Sequence, residues 1–138
     1  MNYPEVFYQR AVLTHLSLRG FSVREEVAYG RKRFDALAYD GIYLLGIEVK
    51  CRDWKRAIRQ ARYQKLCCDM AAVALPAGKV SEELLKEASI FGLGVIAIGD
   101  APTWSLEWKL AAHPSPAVEA HRSRILAIGG WCDVKPKY

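Results

Sequence analysis

Asp35, Glu48 and Lys50 have the types and spacing from which hydrolytic chemistry can be built. Glu48 and Lys50 are two apart, so on an extended strand both side chains leave the same face. Asp35 belongs to an earlier apolar run, and the Asp40-Gly41 pair between the two runs is a strong hairpin signal. A two-residue loop there pairs Tyr39 with Ile42, sets Asp35 opposite Gly46 and leaves it diagonal to Glu48, at the ~7–8 Å typical of such neighbours. Gly46 leaves room between them. Ile47 and Val49 on the other face mark a buried strand. Acids and a lysine across from that face are costly unless they are paired or bind an ion. Two carboxylates hold a hard cation such as Mg2+ through oxygen, with waters filling the other positions. One such water can act as a nucleophile, and a lysine one pleat along can orient it or offset charge growing on a phosphate. The set suits metal-dependent phosphodiester hydrolysis. The competing reading is a Glu–Lys pair on a solvated strand face, which needs no function.

The elements that must position these residues are legible in outline. Residues 4–19 read as a helix with an approximate apolar face and Gly20 as its stop. Residues 21–29 alternate as a strand, with Phe21, Val23 and Val27 on one face. Residues 33–39 and 42–51 are the two hairpin strands. Residues 53–69 form the clearest helix, and residues 70–75 a short apolar strand stopped by Pro76. Ser81 caps a further helix, and residues 94–98 form another apolar strand. The order predicts a mixed α/β fold, a central sheet with helices packed on it. Beyond residue 99 the pattern weakens: an edge strand over 104–110, a loop at 113–116 and a terminal helix over 117–128 ended by Gly129-Gly130.

Charge is concentrated next to the candidate site. Lys50, Arg52, Lys55, Arg56, Arg59, Arg62 and Lys65 face the single acid Asp53 over residues 50–65, a local +6 against a net +5 for the whole chain. Wound as a helix, residues 53–69 put Ala57, Ala61 and Cys68 on one narrow face, with Trp54 and Gln64 at its margins. Lys55, Arg59 and Arg62 lie opposite and read as a solvated outer face. Arg52 and Arg56 lie nearer the Lys50 end, and Arg31, Lys32 and Arg33 just precede Asp35. Those five are the candidates for phosphate contact, which is salt-dependent and largely independent of sequence.

The stretch Phe34-Asp35-Ala36, then Gly46-Ile47-Glu48-Val49-Lys50, a basic helix containing Gln60, and Ala72-Val73-Ala74-Leu75-Pro76 resembles the PD-(D/E)XK nuclease superfamily of restriction-endonuclease-like, RecB-like and Holliday-junction-resolvase-like enzymes. The likeness covers roughly residues 4–98. It implies a restriction-endonuclease-like αβββαβ core, with Asp35 and Glu48 as ligands of Mg2+ or Mn2+ and Lys50 as the catalytic lysine. It also implies a catalytic glutamine on the helix after Lys50, with Gln60 first and Gln64 second. An acid on the first helix is a further metal ligand in many members; Glu5 is the candidate, with Glu25 or Glu26 as alternatives. Phe34 stands where the motif's name puts a proline. The implied function is hydrolysis of DNA, endonucleolytic by preference. The alternative is a nuclease-like module, inactive or dependent on a complex, used for nucleic-acid binding or assembly. DNA is the implied partner, and small relatives often act as homodimers or in larger complexes.

Composition sets bounds. The 138 residues, 51% hydrophobic and 25% charged, suit one domain with a real core and argue against disorder. Residues 1–99 would hold the catalytic core, and residues 100–138 an extension packed on it or forming an interface. Cys51, Cys67, Cys68 and Cys132 make no CxxC pair and lie near no histidine, which argues against structural zinc. A cytoplasmic location with reduced thiols is the expectation, since no secretory pattern and no membrane-spanning apolar run is seen. His15, Trp104, Trp108 and Cys51 read as surface or packing residues.

Overall fold

The computed structural model describes residues 3–132; the last six residues of the proposed extension lie outside them. Its elements run α1 (Glu5–Leu18), β1 (Ser22–Tyr29), β2 (Lys32–Tyr39), β3 (Leu44–Val49), α2 (Trp54–Gln64), β4 (Met70–Pro76), a short 3-10 turn (Ala77–Lys79), α3 (Glu82–Ile90), β5 (Gly94–Ile98), β6 (Leu106–Leu110) and α4 (Glu119–Ile128). The six strands form one mixed sheet in sequence order. Strands β1 to β3 are an antiparallel meander, β3 to β5 are parallel, and β6 returns antiparallel at the edge. Helices flank the sheet, and the order αβββαβ expected of the resemblance is the order found.

Both faces of the central strands are covered, which is why β3, β4 and β5 read as nearly continuous apolar runs. Tyr8, Val12, Leu13 and Leu16 of α1 pack on Ala36, Ile47, Val49, Ala74 and Ile96. Cys51 and Trp104 pack against the same cluster; the Trp104 ring lies edge-on to Tyr3 and Tyr8, at 5.0 and 5.2 Å. On the opposite face α2 and α3 bury Ala57, Ala61, Leu84 and Ala88 against Ala71, Val73 and Val95. Alanines on both sides of that contact let α2 lie close to the sheet. No described helix is long and apolar enough to cross a membrane.

Several sequence expectations change here. The hairpin turns over four residues, 40–43, so that Tyr39 pairs with Leu44. Asp40 is the cause: its carboxylate accepts from the Ile42 and Tyr43 amides at 2.8 and 2.7 Å, an Asx-type turn, while Gly41 takes φ +98°. The register therefore moves by one pair, and Leu37 rather than Asp35 faces Gly46. Helix α2 stops at Gln64, whose carbonyl accepts from the Cys67 and Cys68 amides in a following turn, so residues 65–69 are not helical. The face shared by Phe21, Val23 and Val27 is also broken. Glu26 has φ +52°, and beyond it Val27 packs with Phe34, Leu37 and Cys67, whereas Phe21 and Val23 pack on the α1 side.

The segment beyond residue 99 packs on the core. Strand β6 extends the sheet, and α4 buries Ile125 and Leu126 against Phe34, Leu44 and Cys68. Arg122 clamps this helix to the β2–β3 hairpin. Its Nε donates to both Asp69 carboxylate oxygens at 2.9 and 3.1 Å, and its terminal nitrogen donates to the Ile42 carbonyl at 2.9 Å. Asp69 also accepts from the Leu44 amide at 2.7 Å. Tyr29 and His121 Nδ1 share a further hydrogen bond to this helix.

Candidate active site

The site lies where β2 leaves β3. Its pairing with β1 skips Glu26 and Asp35, and its pairing with β3 stops at Ala36–Ile47. Freed from the ladder, the Asp35 carboxylate accepts from the Val49 amide at 2.9 Å. The revised register brings Asp35 level with Glu48, closer than the diagonal placement expected from a two-residue loop. The splayed strands, the start of β2 and one side of α2 enclose a cleft of about 840 Å³.

Glu48 lies on the cleft floor and is only 3% exposed. Gln64 Nε2 donates to its Oε2 at 2.9 Å. Burial pushes the Glu48 carboxyl up to about 8; the neighbouring Asp35, by charge and by hydrogen bond, pushes in the same direction, and Lys50 pulls it partly back. Lys50 follows β3, lines the same cleft, and its amide donates to the Ala74 carbonyl. Asp35, Glu48 and Lys50, read from sequence as one cluster, therefore share one cavity. The glutamine order reverses in one respect. Gln60 lines the cleft, but Gln64 makes the bond to Glu48. Gly46 makes this possible, because a Cβ there would stand 2.5 Å from Gln64 Oε1 and 3.2 Å from Cys68 Sγ. Gly46, read from sequence as leaving room between the acids, instead leaves room for Gln64.

Glu5 occupies a neighbouring groove. Its Oε1 accepts from the Cys51 amide at 2.9 Å, and it lines about 350 Å³ together with Lys50, Arg52 and Arg56. Among the described residues no three His, Cys, Asp or Glu side chains come together as a metal-ligand group. The donor set on the cleft floor is the pair Asp35 and Glu48. Glu25 accepts from Gln9 at 3.4 Å, and Glu26 forms an exposed ion pair with Arg33 at 3.7 Å.

A divalent cation fits what is present. Each acid has one oxygen held by a protein donor, which leaves the other, and their proximity adds to the burial that makes Glu48 reluctant to ionise. Two buried oxygens on cleft-lining residues, Gln60 Oε1 and Gln64 Oε1, have no hydrogen-bond partner, which is costly unless a donor arrives. Two carboxylates plus water are a donor set typical of Mg2+ rather than of zinc.

The cleft walls are basic. Arg31, Lys32, Arg33 and Arg56 line it as expected, and Arg52 faces the Glu5 groove instead. Arg59, read from sequence as solvated outer surface, reaches the rim, and Tyr63, which sequence reasoning missed, lines the wall with Lys32 Nζ 5.3 Å above its ring centre. Arg59 and Tyr63 line the cavity through the packing of α2 beside the start of β2, so helical spacing alone carried no signal for them.

No protein-family model and no curated protein matches the chain. Among solved structures it is similar to SfsA of Pyrococcus furiosus in complex with Ca2+, at 17% identity and a TM-score of 0.41, over 79% of this chain and 61% of that one. The chain thus spans about three-fifths of that protein's length.

Proposed function

We propose that this chain is a metal-dependent nuclease that hydrolyses phosphodiester bonds in DNA, by preference internally. One observation carries the reading: two carboxylates, Asp35 and Glu48, meet with Lys50 at the floor of a cleft walled by Arg31, Lys32, Arg33 and Arg56. Buried acids repel a phosphate unless a cation intervenes, while the basic walls attract it. The two together suit an anionic substrate brought to a cation. Asp35 and Glu48 are the residues that would hold Mg2+ or Mn2+. The chemistry supplied by such a cation is Lewis-acid polarisation of a phosphoryl oxygen and a lowered pKa of water.

The chain's own groups do the rest. The Val49 amide and Gln64 fix the two carboxylates from the protein side. The Lys50 ammonium offsets charge gathering on the phosphate. Gln60 offers an unpartnered oxygen to a donor in the cleft. The wall cations bind the sugar–phosphate backbone without reading sequence. Asp35→Ala, Glu48→Ala and Lys50→Ala are each expected to abolish Mn2+-dependent cleavage of a panel of labelled linear, junction, flap and single-stranded DNAs, with the circular-dichroism spectrum unchanged. Full activity in all three variants refutes the reading.

A second reading, a nuclease-like module that grips nucleic acid and cuts only within a complex, is favoured by the two-carboxylate donor set and by Glu5 being held at the Cys51 amide. Metal titration separates the two. The nuclease reading expects Mn2+ to raise the melting temperature, and Asp35→Asn to remove that rise.

A further inference from the structure

A second groove of about 510 Å³ runs between α2 and α3. Arg59 lines both it and the cleft, so the two cavities adjoin at α2. The charged residues on the α2 wall of the groove are all basic. Lys55, Arg59 and Arg62 are spaced i, i+4, i+7 and form one stripe about 10 Å long. The acids Glu83 and Glu87 lie on the α3 wall with Lys86. The groove also holds two half-buried aromatic rings, and each carries a cation. Lys55 Nζ lies 5.7 Å from the Trp54 ring centre, and the Arg62 guanidinium lies 3.8 Å from the centre of Phe91. Lys65 Nζ donates to the Phe91 carbonyl at 3.1 Å and ties down that end of the groove.

We infer that this groove takes a single-stranded nucleic-acid segment continuing from the cleft, so that the substrate is a DNA with an unpaired extension beside the scissile bond. The inference rests on the nuclease reading of the cleft. Charge complementarity sets the path: phosphates follow the basic stripe on α2, and the acids sit on the opposite wall, toward the bases. Trp54, and Arg62 held against Phe91, offer flat faces on which bases stack whatever their sequence. A duplex keeps its base faces stacked inside and cannot use them. An unpaired strand presents both features at once.

The test uses the full chain carrying Asp35→Asn, so that binding is read without cleavage. Fluorescence anisotropy compares a blunt duplex with the same duplex bearing a short single-stranded extension. The extension is expected to tighten binding about tenfold, the worth of one stacked base. Trp54→Ala and, separately, Arg62→Ala are expected to remove that gain and leave blunt-duplex binding as it was. Arg62 is exposed, so its variant keeps the test valid if loss of Trp54 disturbs the core. An extension that adds nothing, or an Arg62→Ala variant that weakens both DNAs alike, overturns the groove and leaves it to another occupant such as a protein segment. Metal-dependent cleavage by the unaltered chain would still stand in that case. A folded Asp35→Asn protein that binds neither DNA removes both readings together.

Discussion

Glu48 is the residue at which the fold's energetics and its chemistry meet. Its carboxyl is buried beside Asp35 and sits at about 8, above its ordinary 4.5, so the folded protein binds this proton more tightly than the unfolded chain does. The associated stability is present in full below about pH 4.5 and is lost as pH rises through about 8. Glutamine copies the neutral acid in shape and can still accept from Gln64. Metal-free Glu48→Gln is therefore expected to melt above the unaltered chain at pH values beyond about 8, and to match it below about 4.5. Thermal unfolding in chelator across that range checks this, and two curves that stay parallel throughout would refute it. Under the proposed function a divalent cation would offset the same repulsion, so proton and metal would compete for one place.

At the scale of elements, the contact that matters is α2 against β3. Gly46 lets Gln64 descend to Glu48, and the alanines at 57 and 61 let the helix lie close enough for that descent. A methyl group at residue 46 would meet Gln64 Oε1 at 2.5 Å. Gly46→Ala is expected to cost about 1–3 kcal/mol through overpacking and to lower cleavage more than Gln60→Ala does, because it displaces the side chain that holds Glu48. Urea unfolding gives the first quantity and initial rates give the second. Equal rates for Gly46→Ala and the unaltered chain would show that Gln64 does not position Glu48.

For the whole molecule, α4 joins the last described part of the chain to the element that carries Asp35. Arg122 bridges Asp69 and the Ile42 carbonyl, and both side chains of the ion pair are mostly shielded, at 21% and 17% exposure. Removing the arginine leaves Asp69 with one donor, the Leu44 amide. Arg122→Ala is expected to destabilise the fold by about 2 kcal/mol, the worth of charge-assisted hydrogen bonds in a half-shielded place. It should also lower the denaturant midpoint with little change in slope. An unchanged midpoint would mean that α4 is held without Arg122, by Ile125, Leu126 and the Tyr29–His121 bond.

The candidate trio, the order of elements and the basic helix could all be read from the chain, because strand and helix periods are local and burial leaves them in the residue pattern. Glu48 and Lys50 share a face by alternation alone, and Ser81 caps its helix with its own hydroxyl. Three-dimensional packing settled which residues converge. The Asp40 side chain lengthened the turn and moved the register, which set Asp35 beside Glu48. The end of the β2–β3 pairing at Ala36–Ile47 leaves Asp35 beside a cleft that Arg59 and Tyr63 also line. Between two plausible glutamines, the one above Gly46 reached the acid. Each of these depends on space and on hydrogen-bond partners distant in the chain, and no local period encodes either.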